Sequence, residues 1–390
     1  MDYLPLHDTA FWSGDPYPAF AELRALDPVH RYDGPAGSMW AIARHADVLA
    51  VSKDPETFCS GKGVLLTDLT RPVATADSIV YLDPPLHAKR RKLVSPSLSV
   101  RRVSDLESRI RSIAVELLDA LPVGEPFDAV EALSMPLPLM VIAELVGVPR
   151  SDLVDFRRWS DAMIDAASDF TDESLALAAE LFVYVDAVVQ ERHAVPRDDL
   201  VSVLANGRVD GEALSDLDIN MFVMTLLVAG NETTRTLISN SLFALAEHPD
   251  QRERLAHDPS GMAIAVEELL RWEAPIMSFC RTATRDTELS GTAIAGGDYV
   301  LLLYQSANRD EEVFGHGADR LDLTRSPNPH TSFGFAEHFC LGASLARMEA
   351  RVLFEELLAR WPRYELAGAV ERLPSRLVRG VSHLPIVLQP

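Results

Sequence analysis

The sequence has few cysteines and fewer positive than negative charges. Only Cys59, Cys280 and Cys340 occur in 390 residues, and no Cys-x-x-Cys pair is present. A disulfide framework is therefore not expected, and a zinc site built from His330, His338 and Cys340 lacks the usual ligand spacing. Lys and Arg number 36 against 58 Asp and Glu, giving a formal net charge of −22. This charge argues against nucleic acid as a partner, because phosphate binding requires a basic surface.

The sequence also lacks the usual patterns of secretion and membrane insertion. Its first residues have neither a basic start nor an apolar core, and the longest strongly apolar stretch, residues 221–230, is about half of what a membrane-spanning helix needs. We therefore expect a cytoplasmic protein without a membrane anchor. No G-x-G-x-x-G motif follows a predicted strand, so binding of nicotinamide or flavin by this chain is not supported.

Apolar residues recur mainly at spacings of three and four, which predicts helices along most of the chain. The longest predicted helix spans residues 216–248. Short strands are predicted at residues 39–44, 287–289, 299–304 and 386–388. No repeat or long linker divides the sequence. We expect one domain over residues 1–390, of the mostly α class with small β-sheets.

Cys340 lies in the run Phe-Gly-Phe-Ala-Glu-His-Phe-Cys-Leu-Gly at positions 333–342. A helix beginning at Leu341 would direct its amide groups and positive dipole end at the sulfur, lowering the pKa of the thiol and making the thiolate available as a metal ligand. Gly334 and Gly342 provide backbone without side chains, against which a large flat group could lie. The alternative is a buried cysteine without chemical function, which is the commoner case for a lone cysteine.

This run resembles the haem-binding loop of the cytochrome P450 monooxygenases. Phe333, His338 and Gly342 match the family pattern around the cysteine. Ala336 departs from it, since the family usually has a second glycine there, and this predicts either a different turn or an alanine in an unfavourable backbone region. The resemblance implies a cytochrome P450 fold with haem (heme b, iron protoporphyrin IX) between the long central helix and the cysteine-loop helix, and the thiolate of Cys340 as axial iron ligand.

The middle of the long helix reads Ala-Gly-Asn-Glu-Thr-Thr-Arg at positions 229–235. A glycine followed by polar residues weakens a buried helix, and a threonine can bond to the carbonyl one turn earlier, opening a bulge or kink. The alternative is a helix that reaches the surface at Asn231. The resemblance makes this segment the oxygen-binding groove, with Ala229 beside the haem, Thr233 donating a hydrogen bond to dioxygen and Glu232 supplying protons from solvent.

Glu268 and Arg271 lie three residues apart, which places a carboxylate and a guanidinium on one helix face. Such pairs are common on surface helices and carry little information alone. The resemblance makes them a structural pair that locks the cysteine loop together with a third basic residue, for which Arg320 is the match.

Other basic residues are candidates for binding the haem propionates, because burying a dianionic edge without cationic donors would be costly. His87 and Arg91 lie four residues apart after Asp-Pro-Pro and would share a helix face. The resemblance directs Arg281 at the haem, with His338 from the cysteine loop. Cys280 would then face away from the haem, since adjacent strand residues point to opposite sides. An exposed charge is the alternative for each residue taken alone.

The cluster Lys-Arg-Arg-Lys at positions 89–92, followed by Arg101 and Arg102, reverses the negative sign of the chain. One interpretation is a solvated helix face. The other is a docking patch for an acidic electron donor, and the resemblance implies a separate ferredoxin-type donor with an NAD(P)H-dependent reductase.

The resemblance implies that dioxygen is used and that one oxygen atom enters a hydrophobic small molecule such as a steroid, terpenoid, fatty acid or polyketide. The tail at residues 379–386 is similar to that of bacterial lipid and steroid hydroxylases. A peroxide-using or substrate-rearranging haem-thiolate enzyme and a non-enzymatic haem sensor remain alternatives. The substrate pocket would be lined by mainly apolar residues: Val64, Leu65, Leu66, Leu227, Val228, Ile276, Met277, Phe279, Leu377 and Val378.

Overall fold

The structure, a computed structural model, describes residues 4–35, 37–70, 78–168 and 171–389, apart from the side chains of residues 164–168. Helices predominate among these residues, and the strands form small sheets, so the predicted class is confirmed. Each helix in this part of the chain is too short or too polar to span a lipid bilayer.

The α-helices are α1 (Thr9–Ser13), α2 (Tyr17–Leu26), α3 (His45–Lys53), α4 (Leu86–Val94), α5 (Val100–Asp105), α6 (Glu107–Asp119), α7 (Pro136–Val146), α8 (Leu153–Ser168), α9 (Asp172–Ala194), α10 (Leu200–Ala205), α11 (Asp216–Glu247), α12 (Pro249–His257), α13 (Met262–Trp272), α14 (Tyr304–Ala307), α15 (Glu311–Phe314) and α16 (Ala343–Arg360). The strands are β1 (Val29–Gly34), β2 (Gly37–Ile42), β3 (Phe58–Cys59), β4 (Phe127–Asp128), β5 (Arg208–Val209), β6 (Glu212–Ala213), β7 (Ser278–Ala283), β8 (Thr287–Leu289), β9 (Thr292–Ile294), β10 (Tyr299–Leu303), β11 (Tyr364–Leu366), β12 (Glu371–Arg372), β13 (Val381–His383) and β14 (Pro385–Leu388).

The largest sheet has the strand order β1-β2-β10-β7-β3, in which β2 and β10 are parallel and the other pairs are antiparallel. A three-stranded sheet, β11-β14-β4, and three two-stranded ribbons complete the β structure described. The four predicted strands correspond to β2, β8, β10 and β14. Strands such as β3 and β4 were not predicted, because two residues are too few for an alternating pattern. Strand β1, six residues long, was not predicted either.

Helix α11 passes through the centre of the helical part. Its first half packs with α7, α8, α9 and α10, and its second half packs with α6, α13 and α16. The second half buries Leu237, Ile238 and Leu242 completely or nearly so. Full burial of each such side chain contributes about 2 kcal/mol. This packing fixes α11 as the axis around which the other helices are arranged.

The ends of α11 follow from local sequence. Ser215 Oγ accepts a hydrogen bond from Asp218 N–H at 3.1 Å, and Asp218 Oδ2 accepts one from Ser215 N–H at 3.4 Å, which is a capping box. Pro249 follows shortly after the last residue, Glu247, and disfavours a helical conformation for the residue before it. The predicted helix over residues 216–248 is therefore confirmed to within one residue.

Helix α16 buries one carboxyl group in the core. Glu349 is only 1% exposed, and its Oε2 has no hydrogen-bond partner among the described residues. Burial raises the pKa of this carboxyl from 4.5 to about 8. The folded state therefore binds a proton that the unfolded state releases above its own pKa. Stability from this group is complete below about pH 4.5 and is lost as the pH rises towards 8.

We predict that Glu349→Gln stabilises the protein at neutral pH, because glutamine has no charge to bury. The gain in unfolding free energy over the original protein should be about 3 kcal/mol at pH 7 and close to zero at pH 4. Denaturant unfolding at several pH values measures it. Glu253→Gln on α12, at an exposed position, is the control and should change stability little at any pH. A gain in unfolding free energy that is the same at every pH would contradict a raised pKa of Glu349.

Candidate active site

The cysteine loop, residues 333–342, is closed by a hydrogen bond from Cys340 N–H to the Phe333 carbonyl at 2.8 Å. Two of its residues adopt the left-handed backbone region, Gly334 at φ 69° and Ala336 at φ 53°. Glycine adopts this region readily, whereas alanine is destabilised there by about 1 kcal/mol. The expectation of an alanine in an unfavourable backbone region is confirmed.

Cys340 is half-buried at the end of the loop. Helix α16 begins at Ala343, two residues later than predicted, and the Gly342 amide donates a hydrogen bond to Cys340 Sγ. Burial raises the pKa of this thiol and outweighs the opposite effects of the Gly342 amide and the nearby charge of Arg91. The predicted lowering of the thiol pKa is therefore wrong for this structure, since loss of water disfavours the thiolate more than the helix end favours it.

Basic side chains from three elements meet beside the loop: His87 and Arg91 from α4, Arg281 from β7 and His338 from the loop itself. The ring centroids of His87 and His338 are 4.2 Å apart. Burial, and next the charge of Arg281, lower the pKa of His338 to about 2. Glu337 Oε2 lies 3.6 Å from His87 Nδ1, which is too long for a hydrogen bond.

The basic cluster of His87, Arg91, Arg281 and His338 contains positive charge that nearby acidic side chains do not balance. His87 Nδ1 is buried without a hydrogen-bond partner among the described residues, and within the same residues no carboxylate forms an ion pair with Arg91 or Arg281. A Cβ added at Gly342 would meet no described atom within 4 Å, so the backbone there can be approached closely. A flat ligand with a dianionic edge would supply the missing charge. The residues present therefore fit a haem with its two propionates.

One stripe of α11 is accessible although the helix runs through the core. Ala229 is exposed, while Leu226 and Thr233, about one turn to either side, are half-buried. Thr233 Oγ1 donates a hydrogen bond to the Ala229 carbonyl at 2.7 Å, as expected, and α11 continues through this point without interruption. Gly230 packs so closely against α7 that an added Cβ would lie 3.1 Å from Ile142 Cδ1. The glycine thus allows the two helices to approach.

Glu232 is buried next to this stripe and belongs to a charged chain that leads to α8. Its side chain is 1% exposed, and its Oε2 lies 3.2 Å from Arg235 Nη1. The same nitrogen lies 3.0 Å from Asp161 Oδ1, whose side chain is 40% exposed. Asp161 was not expected from the sequence, because contacts between separate helices leave no spacing signal. Arg235 was missed although it lies three residues after Glu232 on the same helix, the spacing that also links Glu268 and Arg271.

Glu268 and Arg271 form a buried bidentate ion pair, with both N–O distances at 2.7 Å. Arg271 also donates to three backbone carbonyls within residues 308–320. The third member of this network is Arg325, whose Nε donates to Glu268 Oε2 at 3.0 Å. The prediction of Arg320 is wrong. Its backbone carbonyl faces Arg271 while its side chain is exposed.

Comparisons with known proteins agree with this geometry. A family model, Cytochrome P450, matches residues 140–259 and 262–366. The Vitamin D(3) 25-hydroxylase of Pseudonocardia autotrophica is 39% identical over 392 residues, covering 99% of this chain and 96% of the relative. The chain belongs to the cytochrome P450 family. It is therefore a monooxygenase that uses haem with a cysteine thiolate as axial ligand.

Other cytochromes P450 cover almost the whole chain. The Linalool 8-monooxygenase of Pseudomonas putida is 37% identical over 391 residues, covering 96% of each chain. A solved structure, a Mycobacterium marinum cytochrome P450 in complex with pseudoionone, is 38% identical, with a TM-score of 0.90 and 99% of both chains covered. The cytochrome P450 fold expected from the sequence is thus confirmed.

Several of the predicted pocket residues of this cytochrome P450 lie close together. The Met277 amide donates to the Leu377 carbonyl at 2.9 Å, and the next residues pair as a β-bridge, Ile276 with Val378. The Val64 carbonyl accepts a hydrogen bond from Cys280 N–H at 2.7 Å. Leu65, Leu66 and Leu377 line one pocket. Phe279 and Ile276 are half-buried against one face of the large sheet, whereas Cys280 belongs to the core on the other face.

Four of the predicted pocket residues are buried in the core: Val64, Leu227, Met277 and Val378. Leu227 packs with α7 and α9, and Met277 packs with the N-terminal segment and the large sheet. On a helix, two residues differ by about 200° in direction, so Leu227 lies opposite Ala229. Leu226 occupies the accessible stripe in its place, and Val228 at the edge is half-buried. Apolar character is the same at positions 226–228, so the sequence alone does not distinguish the side chains that face the stripe from those that face the core.

We predict different effects for the two arginines near the buried pair. Arg325→Ala should lower the free energy of unfolding by about 3 kcal/mol, because it leaves the buried Glu268 carboxylate with one cation fewer. Arg320→Ala is the matched control and should change it by less than about 0.5 kcal/mol, since its carbonyl remains. Denaturant unfolding of the haem-loaded protein measures both. If both variants lower the free energy of unfolding equally, or if Arg320→Ala lowers it more, the assignment of Arg320 as the third basic residue is supported instead.

Proposed function

We propose that this cytochrome P450 hydroxylates a hydrophobic small molecule, of the steroid, terpenoid, fatty acid or polyketide class, with electrons from a separate ferredoxin-type donor and its NAD(P)H-dependent reductase. The observation that carries the proposal is the cysteine loop with its basic cluster, from which negative charge is missing. Relatives named for vitamin D(3) and linalool support a hydrophobic substrate. Substrate would lie along the apolar part of the accessible stripe of α11.

We assign the haem to the cysteine loop. Cys340 would provide the axial thiolate, Phe333, Gly334 and Gly342 would lie against the ring, and the basic cluster would bind the propionates. When bound, a haem with a thiolate ligand supplies cleavage of the O–O bond and transfer of one oxygen atom to substrate. Cys59 and Cys280 are buried in the sheet region, so we do not propose either of them as the iron ligand.

The protein's own contribution is the supply of protons and the orientation of substrate. The Thr233 hydroxyl, on the accessible stripe, would donate a hydrogen bond at the oxygen site after it releases the Ala229 carbonyl, since a hydroxyl has one proton to donate. The charged chain of Glu232, Arg235 and Asp161 leads from the buried helix to a partly exposed carboxylate. Because an arginine keeps its proton, Arg235 would hold the Glu232 carboxylate in place, and Glu232 itself would pass protons from solvent to the oxygen site. The pair of Glu232 and Thr233 also disfavours the peroxide-using alternative.

We predict that Thr233→Ala uncouples the reaction. With a steroid or terpene that shifts the haem spectrum on binding, the affinity should be unchanged. Product formed per electron pair should fall by about tenfold, because the proton-donating hydroxyl is lost. Consumption of NADPH, formation of hydrogen peroxide and incorporation of isotopically labelled dioxygen measure the coupling.

Two further variants make this experiment decisive. Thr225→Ala removes a similar hydrogen bond to a carbonyl one turn earlier on α11, at 2.7 Å, and should leave the coupling close to that of the original protein. Cys340→His should abolish the red-shifted carbon monoxide band that is typical of thiolate ligation. Unchanged coupling in Thr233→Ala removes the proposed role of this hydroxyl, and a band that persists in Cys340→His removes the proposed ligand.

The expected docking patch is partly neutralised by acidic side chains. Lys89 lies 2.5 Å from Asp210, and Arg102 lies 3.3 Å from Asp198. Within the described residues, Lys92 and Arg101 are exposed and form no ion pair. An acidic partner would therefore be attracted mainly by these two residues, of which Lys92 lies on α4 with His87 and Arg91, and Arg101 lies on α5.

We predict that Lys92→Glu weakens the binding of an acidic [2Fe–2S] ferredoxin by about tenfold at low salt, and much less at high salt, since exposed charges are screened. Arg102→Glu is the comparison and should weaken it less, because this arginine already has an acidic partner. Titration calorimetry at two salt concentrations measures both. If the original protein and both variants bind the ferredoxin with equal affinity at both salt concentrations, the basic patch has no role in docking.

A further inference from the structure

A second set of charged and aromatic side chains contacts the cysteine loop from α13 and α16. We call it the Arg347 cluster, and it consists of Glu267, His330, Phe333 and Arg347. Arg347 Nε and Nη2 donate to Glu267 Oε1 and Oε2 at 2.6 and 2.8 Å. His330 Nε2 lies 3.0 Å from the same Glu267 Oε2. The carboxylate thus holds the guanidinium in one plane and orientation.

The Arg347 guanidinium is placed against the ring of Phe333. Its central carbon lies 4.4 Å from the ring centroid, within the range of a cation–π contact. Phe333 is also the residue whose carbonyl accepts the Cys340 amide hydrogen bond at 2.8 Å. Glu267 therefore connects to the cysteine through Arg347 and Phe333, one contact after another.

The charge of Arg347 also acts on the cysteine sulfur. It favours the thiolate of Cys340, as does the charge of Arg91 on the other helix. The Arg347 side chain is 34% exposed, and ion pairs with this degree of exposure contribute about 0–1 kcal/mol to stability. Fold stability therefore explains little of this arrangement. A fixed positive charge beside the Phe333 ring and the Cys340 sulfur also changes the electrostatic potential at any metal that the sulfur binds.

We propose that Arg347 is a positioning residue which, held by Glu267, sets the reduction potential of the haem iron through its charge next to the Phe333 ring and the Cys340 sulfur. The inference rests on the proposed function, in which Cys340 is the iron ligand. Reduction adds one electron, from an added reductant, to the haem and moves no other group. A nearby positive charge stabilises the reduced form, which has one more negative charge.

The test is a potentiometric titration of the haem-loaded protein. Arg347→Gln removes the positive charge and leaves Glu267 facing the loop with His330. At a fixed solution potential, the ratio of reduced to oxidised protein should fall about tenfold, which equals about 59 mV for a one-electron couple. Glu267→Gln leaves the charge of Arg347 uncompensated and should raise the same ratio.

Two variants separate charge from packing. Arg347→Lys keeps the charge but loses the bidentate geometry, so its potential should remain closer to that of the original protein than the potential of Arg347→Gln. Arg351→Gln is the matched control. Arg351 lies one turn further along α16 and pairs with Glu107 and Glu355 at 2.7 and 2.8 Å. Its loss should change the ratio less than twofold.

Opposite shifts in Arg347→Gln and Glu267→Gln, with rescue by lysine, support the proposal. The proposal is overturned if the two variants shift the ratio of reduced to oxidised protein in the same direction. It is also overturned if Arg347→Gln changes that ratio less than twofold. If Arg347→Gln does not fold, the sign of the shift in Glu267→Gln decides. The carbon monoxide spectrum separates this outcome from failure of the proposed function. A thiolate band in all variants with unchanged potentials refutes only the role of Arg347, whereas absence of the band in the original protein refutes Cys340 as ligand.

Discussion

The imbalance of charge beside the cysteine loop is the constraint on which the site depends. Two histidines and two arginines from separate elements are gathered where water is scarce, and the His338 pKa is depressed to about 2 as a result. Such a cluster is unfavourable by itself, because like charges repel and burial removes hydration. An anionic edge of a bound cofactor offsets both costs. Cofactor binding and correct closure of the loop are therefore linked, since His338 belongs to both.

Two carboxylates that follow each other on α13, one half-buried and one buried, contact the segment that leads into the cysteine loop, at His330 and Asn328. Glu268 binds Arg271 and Arg325, and Glu267 binds Arg347 and His330. Adjacent helix residues differ by about 100° in direction, so the two carboxylates reach different neighbours from one backbone. Glu268 and Arg271 are fully buried, and Arg325 is half-buried at the edge of their network, so breaking this network would affect fold stability. Glu267 is more exposed and serves the orientation of one guanidinium.

The sequence was informative wherever one local segment carries the whole signal. The long helix and the pair of Glu268 and Arg271 each depend on residues within a few positions, and the structure has them as expected. The cysteine loop is also a local signal, but the helix that follows it begins two residues later than predicted. Arg325 and Asp161 were missed because irregular segments and contacts between helices leave no periodic pattern. The thiol pKa of Cys340 was predicted in the wrong direction, since a sequence does not report burial. Leu227 was misplaced because apolar character alone does not give the direction of a side chain.

Residues 328–333 show how tightly the two carboxylate networks are coupled. Asn328 donates to Glu268 Oε2 at 3.0 Å, His330 contacts Glu267, and Phe333 lies under Arg347 while accepting the Cys340 amide. A displacement of α13 would therefore move this short segment at three points. Because the segment leads directly into the cysteine loop, the loop is connected to α13 through Asn328 and His330 and to α16 through Phe333. This arrangement explains how a loop with an alanine in a left-handed conformation can hold one geometry.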